Sequence, residues 1–135
     1  MSQICVPVSF GEVLDKLTIL EIKAQRIDDS AKRANVVSEL EALSTIWAAH
    51  PSAAVEIGPL RAALKAVNER LWDIEDAIRV QERAQRFDAD FIRLARAVYF
   101  ENDERARIKR EINLALGSAF IEEKSYRDYR SGGAV

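Results

Sequence analysis

The sequence predicts an all-α fold: an antiparallel four-helix bundle with two shorter N-terminal helices, a long C-terminal helical hairpin and a short helical or extended tail. Successive segments carry apolar residues at helical spacing, and no segment alternates as a strand does. Neither glycine nor proline occurs between residues 60 and 116. That stretch is rich in Ala, Leu, Glu, Arg and Ile, so it predicts the two long helices of the hairpin.

The first two helices are expected in the N-terminal half. Ser9 and Glu12 have the spacing of a capping box and predict the start of the first helix, which is followed by an apolar seam at 4-3-4-3 spacing. Residues 28–30 are expected to end the first helix and to provide the N-cap of the second. The second helix is expected to end near His50, because the residue before a proline disfavours helical backbone.

The third and fourth helices are expected to form the hairpin. Pro59 suits the first turn of the third helix. The apolar pattern breaks at residues 86–88, where Asp88 or Asp90 is expected to cap the fourth helix, and Gly117 is expected to end it. Residues 1–130 are therefore predicted to form a single helical domain, and residues 131–135 a disordered C-terminal tail.

Composition narrows the classes of partner. The chain has 135 residues and a formal net charge of −2, which argues against nucleic acid as the main partner. It contains no long apolar run and no N-terminal targeting signal, so no membrane association is expected and a cytoplasmic location is the expectation. Cys5 is the single cysteine, and this excludes an intramolecular disulfide.

The fourth predicted helix carries polar side chains on its apolar face. On a helix that turns about 100° per residue, Asn102, Arg105 and Lys109 lie within about 40° of the apolar seam. Unpaired buried charges are very costly, so these cations need acidic partners, an anionic ligand or solvent. Glu21 lies close to the seam of the first helix, and Asn68 is expected to lie level with Arg105. These five residues are predicted to form a polar layer between the helices.

The same geometry divides the acidic run of the third helix, Asp73–Asp76. Asp73 and Asp76 are predicted to face solvent, whereas Glu75 lies only about 60° from the seam. Glu75 is expected to pair with Arg79 at i,i+4 spacing. The pair is either an exposed ion pair or one wall of a site between helices.

The polar layer has three interpretations from sequence. It is a closed ion network that fixes helix register, a pocket for a small anion such as a phosphate or carboxylate, or part of an interface with a partner protein or a second copy of the chain. Ile19 and Ile22, predicted to face outward, favour the interface. Tyr126 in the tail is expected either to pack over an opening in the bundle or to belong to a lid over the layer.

The favoured function is therefore a helical module that binds a small anionic ligand or a partner protein, with no cofactor and no metal. An enzyme acting on an anionic metabolite is the alternative. Nucleotide pyrophosphatases that depend on Mg²⁺ collect carboxylates from two E-x-x-E/D helices, and Glu12-x-x-Asp15 and Asp73-x-x-Asp76 have this spacing. Chorismate mutases hold a dicarboxylate with cations inside a helical bundle. No catalytic residue is assigned, and no Gly-rich phosphate loop, CxxC or HExxH motif is present.

Four segments carry a resemblance to a known family. FGEVLDKLTILEIKAQRI, LWDIEDAIR, FDADFIRLARAVYFENDERARIKREIN and GSAFIEEKSY resemble, in this order, a bacterial family of small all-helical proteins of unknown function. The resemblance covers nearly the whole chain. It implies a compact helical domain in a bacterial cytoplasm and assigns no activity or catalytic residue.

Overall fold

A computed structural model of the protein describes residues 2–130. It contains four α-helices, and no strand occurs among these residues: α1 (Phe10–Arg26), α2 (Ser30–Ala49), α3 (Gly58–Arg83) and α4 (Ala89–Leu116). A short 3-10 helix, Pro51–Ala54, connects α2 to α3. The predicted all-helical class is confirmed for this part of the chain. The predicted disordered tail, residues 131–135, lies outside the described residues.

The helix ends follow the local sequence. The Ser9 hydroxyl accepts a hydrogen bond from the N–H of Glu12 at 3.2 Å and caps α1, and Asp88 accepts one from the N–H of Phe91 at 3.2 Å and caps α4. Gly117 ends α4 with a φ of 64°, a left-handed conformation that favours glycine. These three predicted ends are confirmed.

The segment after α4 forms an extended arm, residues 118–130, and contains no helix. This C-terminal arm runs back along α4. Glu122, near its start, is bonded to Lys109, whereas Tyr129, near its end, donates a hydrogen bond to Asp103 at 2.6 Å and packs edge-on against Tyr99. Of the two forms predicted for the tail, the helical one does not occur in residues 118–130.

Helix α1 contacts all three other helices, and α3 and α4 pack along each other. One apolar core is built mainly from α1, α3 and α4: Leu14, Leu17, Ile57, Leu64, Val67, Ile108 and Ile112. Helix α2 has no fully buried residue and joins this core mainly through α1, with Leu40, Leu43 and Trp47 half-buried against it. The closed antiparallel bundle of four helices stays a prediction. No helix within residues 2–130 has the length and apolar character needed to cross a membrane.

The central position of α1 corrects one expectation from the sequence. Ile22, predicted to face outward, is only 1% exposed in the single chain. Because neighbouring helices pack on several sides of α1, most of its surface is covered without any partner. The argument for an interface from Ile22 is therefore wrong. Ile19 is half-buried.

Gly11 allows α1 and α4 to approach closely. Its N–H donates a 2.6 Å hydrogen bond to Oδ1 of Asn113, a side chain that is 1% exposed. A Cβ at Gly11 would lie 2.7 Å from the carbonyl oxygen of Lys109 and 2.9 Å from Asn113 Oδ1. Because the nearer atom belongs to the backbone of α4, a side chain here forces the two helices apart.

Replacement of Gly11 by alanine should therefore destabilise the fold. We expect Gly11→Ala to lower the free energy of unfolding by about 1–3 kcal/mol, since overpacking outweighs the better helix propensity of alanine. Gly58→Ala is the matched control, because a Cβ there meets only the flexible carboxylate of Glu56 at 2.7 Å. Urea denaturation measures both. Equal unfolding midpoints for the two variants would contradict the close approach of α1 and α4.

Candidate functional site

A buried carboxylate on α1 joins three helices. Asp15 is 2% exposed. Its Oδ1 accepts hydrogen bonds from Nε of Arg105 on α4 and from Nδ2 of Asn68 on α3, both at 2.9 Å. Its Oδ2 accepts a second hydrogen bond from Nη2 of Arg105, and Nζ of Lys109 lies 4.0 Å away. Together with Thr18, these residues form what we call the Asp15 cluster.

Asn68 and Thr18 complete the hydrogen bonding around Asp15. The Asn68 amide nitrogen also donates to the Thr18 hydroxyl at 3.0 Å, and that hydroxyl donates to the Asp15 carbonyl oxygen at 2.9 Å. Thr18 is fully buried. A buried polar group without a partner is costly, and each of these three side chains has one. Asn68 therefore lies level with Arg105, as predicted.

Lys109 connects the Asp15 cluster to the C-terminal arm. Its Nζ donates to Oε2 of Glu12 at 2.9 Å and to Oε1 of Glu122 at 3.3 Å, and its side chain is almost fully buried. The carboxylate of Glu12 is directed to Lys109 instead of back to the N–H of Ser9. The capping box predicted at the start of α1 is therefore only half formed.

The ionisation of the cluster follows from burial and pairing. Burial alone would raise the pKa of Asp15, but hydrogen bonds from Arg105 and Asn68 and the positive charges of Arg105 and Lys109 hold it below its ordinary value. The hydrogen bond to Asp15 raises the pKa of Arg105. Burial would lower the pKa of Lys109, but Glu12, Asp15 and Glu122 raise it. All three groups are therefore charged at neutral pH.

Glu21 lies outside the Asp15 cluster, and this corrects the predicted polar layer. It pairs with Arg61 at 3.3 Å and with Lys65 at 3.8 Å on a half-exposed surface. The acid that binds Arg105 is Asp15, six positions earlier on α1. In the sequence, Asp15 stands out only through the Glu12-x-x-Asp15 spacing. Its i,i+3 spacing to Thr18 was the available signal, because it places two polar side chains on one face of α1.

The acids of α3 do not form a metal site. Asp73 is exposed and pairs with Arg26 at 2.6 Å, and Asp76 is also exposed, so both face solvent as predicted. Glu75 is ion-paired with Arg79. Across residues 2–130, no group of three or more His, Cys, Asp or Glu side chains is placed to hold a metal ion. The four carboxylates of the pyrophosphatase alternative are therefore not brought together.

A groove of about 560 Å³ lies between α4 and the C-terminal arm. We call it the arm groove. Four cations line it: Arg105, Lys109, Lys124 and Arg127. Three aromatic rings also line it: Tyr99, Tyr126 and Tyr129. Asp103 and Glu122 are its acids. The volume is in the range of pockets that hold small ligands.

A second groove, of about 440 Å³, is lined by residues of α1, α3 and α4. We call it the helix groove. Its apolar wall consists of Ile19, Leu71 and Trp72. Its charged residues are Lys23, Glu75, Asp76, Arg79 and Arg105. Asn102 and Arg105 line both grooves.

The two grooves account for the positions of all but one of the predicted site residues. Asn68, Glu75 and Arg79 line the helix groove, Lys109 and Tyr126 line the arm groove, and Asn102 and Arg105 line both. Glu21 lines neither. The site residues predicted from the sequence do not include Asp15, which fixes Arg105, or the arm cations Lys124 and Arg127.

The fold and the cluster define a small all-helical protein whose helices are joined by a buried ion-pair network beside two surface grooves. The chain belongs to a family of unknown function (DUF6165), whose family model matches residues 4–133. No curated protein and no solved structure matches the chain. The function of this family is unknown, so the match assigns no activity to the chain. The bacterial and cytoplasmic setting stays a prediction.

Removing Arg105 should show how much the Asp15 cluster contributes to the free energy of unfolding. Arg105→Ala leaves a buried carboxylate with only Asn68 and the more distant Lys109, so we expect a loss of about 3 kcal/mol in the free energy of unfolding. The double variant Asp15→Ala with Arg105→Ala should lose clearly less than the sum of the two single variants. Urea denaturation of all three proteins gives the coupling energy.

The control for this cycle is an exposed ion pair that shares α1. Lys16 pairs with Glu39 at 3.1 Å with both side chains about half exposed, so Lys16→Ala should change stability by less than about 1 kcal/mol. Strict additivity of Asp15→Ala and Arg105→Ala would mean that the pair does not couple α1 to α4.

The lowered pKa of Asp15 predicts an acid-dependent contribution to stability. The folded-state pKa lies below the ordinary value of 3.8, so the contribution is fully present above that value and is lost as pH falls through the folded pKa. The gap in unfolding free energy between the native protein and Asp15→Asn should therefore be constant from pH 7 to about pH 5 and should narrow below about pH 4. Urea denaturation at pH 7, 5, 4 and 3 measures this gap. A gap that widens on acidification would contradict a lowered pKa of Asp15 in the folded protein.

Proposed function

We propose that the protein binds a small anionic ligand in the arm groove, at the exposed edge of Arg105. The observation that carries this proposal is the position of Arg105, which is fixed from inside by Asp15 and lines both grooves on its outer side. Its side chain is 29% exposed and borders both grooves.

The hydrogen-bond capacity of Arg105 exceeds the needs of Asp15. A guanidinium has five N–H donors in a planar fork. Nε and Nη2 each donate to Asp15, and among residues 2–130 the one further acceptor is Asn102 Oδ1, 3.5 Å from Nη1. The remaining donors are available to a ligand. Because Asp15 already fixes the plane of the guanidinium, an anion that binds it does not have to order the side chain.

The C-terminal arm adds charge on the opposite side of the groove. Lys124 is 3.6 Å from Glu122, and Arg127 makes no ion pair within residues 2–130. Lys109 contributes less to the ligand, since Glu12 and Glu122 already take its donors. Its main role in this proposal is to hold Glu122, and with it the arm, beside α4.

The enzyme alternative has less support. A substrate enclosed in the bundle, as in a chorismate mutase, would need free cations there, but the buried Lys109 is met by acids of the chain itself and Arg105 is bound to Asp15. Glu75, a carboxylate that could act as a general acid or base, is ion-paired with Arg79 near the surface. A binding module without chemistry therefore agrees better with the pairing of these charges.

Anions should stabilise the protein if the arm groove binds them. We expect inorganic phosphate and citrate to raise the Tm in a concentration-dependent manner, because a ligand that binds only the folded state stabilises it. The double variant Lys124→Ala with Arg127→Ala should weaken binding about tenfold, which corresponds to about 1.4 kcal/mol. Thermal shift and isothermal titration calorimetry measure the two effects.

The matched control removes the same charge far from the groove. Lys32 and Arg33 are exposed on α2 and line neither groove, so Lys32→Ala with Arg33→Ala should leave affinity for phosphate unchanged. An equal loss of phosphate affinity in both double variants would indicate that the anion is attracted by the net charge of the protein and not by a defined site. If no anion in the panel raises the Tm, the proposal fails, and the alternative of a partner protein or a homo-oligomer is favoured.

A further inference from the structure

We infer that the helix groove is the second half of the same binding site and that the ligand joins one anionic group to a flat ring. The inference rests on the proposed function, because it assigns the ring to the helix groove and the anion to Arg105. It is carried by the contact of the two grooves at Arg105 and by the unpaired ring of Trp72.

The two grooves meet at Asn102 and Arg105, which line both of them. A ligand whose anion contacts the free edge of Arg105 therefore has the entrance of the helix groove beside it. Asn102 is exposed at this junction, and its Oδ1 makes only the long contact with Arg105. It can turn to contact a ligand that passes from one groove to the other.

The helix groove offers an apolar surface for the remainder of the ligand. Ile19, Leu71 and Trp72 are half-buried and form one wall. The Phe, Tyr and Trp rings that stack in this protein within residues 2–130 do not include Trp72. An indole ring that is half-buried yet free of an aromatic partner is a suitable surface for a planar ring, which prefers offset or edge contacts with it.

The charges of the helix groove fix the orientation of the ligand. Glu75 and Asp76 line the same groove as Trp72, and Glu75 is paired with Arg79. Lys23 and Arg79 also line the groove, so its two acids are matched by two cations and no net positive charge remains there for a second anionic group. The ligand class is therefore a ring that carries its charge at one end only, such as an aryl phosphate or an aryl carboxylate, with that charge at Arg105.

The protein has two tryptophans, which allows Trp72 to be observed alone. Trp47 on α2 contacts Phe10 and stacks with His50, away from both grooves. In the Trp47→Phe protein, phenyl phosphate should change the fluorescence emission of Trp72, whereas inorganic phosphate should change it little. In the native protein, calorimetry should give phenyl phosphate an affinity at least about tenfold higher than that of inorganic phosphate, since only the former reaches the indole.

Two variants then locate the ring. Trp72→Leu should reduce the affinity for phenyl phosphate to that for inorganic phosphate and leave the latter unchanged. Tyr126→Leu, the matched change in the arm groove, should preserve the preference for phenyl phosphate. Because the emission of Trp72 is measured with the helix groove intact, the inference is tested even if Trp72→Leu does not fold.

The outcomes separate this inference from the proposed function. Binding of inorganic phosphate with no preference for phenyl phosphate and no response of Trp72 would overturn the inference and leave the proposed function standing. A preference that disappears in Tyr126→Leu but persists in Trp72→Leu would place the ring in the arm groove and would also overturn it. Failure of both probes to bind would overturn both.

Discussion

Asp15 and Arg105 form an ion pair across the interface between α1 and α4, and the carboxylate of this pair is almost completely removed from water. An ionised group in such a position is tolerated only when its charge and its hydrogen-bonding capacity are met. Asn68 and Lys109 meet the remainder, so this carboxylate on α1 is joined to both α3 and α4. The pairing therefore links three helices through polar contacts, whereas the apolar core around it supplies burial.

The consequences of this pairing extend to the surface. Lys109 lies 4.0 Å from Asp15 and also pairs with Glu122, so the position of the C-terminal arm depends on a buried residue of α4. Arg105 connects the Asp15 cluster to the surface at a second place. It binds Asp15 on one side and lies where the two grooves meet. The same constraint therefore supports the fold and, in our proposal, prepares the site. An arginine that is already ordered binds an anion without the loss of side-chain entropy that a free surface arginine incurs.

The parts of this arrangement that depend on local sequence could be predicted. Helical periodicity alone placed Arg105 and Lys109 on the inner side of α4 and separated Glu75 from the exposed Asp73, and capping residues gave the helix ends. The acidic partner could not be found in the same way. Asp15 and Glu21 both lie on α1, and the choice between them depends on how α1 is aligned with α4. That alignment depends on tertiary contacts, such as the close approach of α1 and α4 at Gly11, which have no signature in the spacing of residues. The path of the C-terminal arm is likewise decided by Glu122 and Tyr129 binding to α4, which a local pattern does not encode.

In the proposed site, Arg105 binds Asp15 with one side of its guanidinium and leaves the other side free for an anion. The side-chain Nε–H resonance of Arg105 in a ¹H–¹⁵N spectrum, assigned with Arg105→Lys, reports on both contacts. We expect a resonance that exchanges slowly with water at neutral pH, because its N–H donates to buried Asp15, and that shifts in a saturable manner on addition of inorganic phosphate while its slow exchange is preserved. A resonance that is broadened by rapid exchange with water, or one that phosphate leaves unchanged while the anion binds elsewhere, would contradict the account.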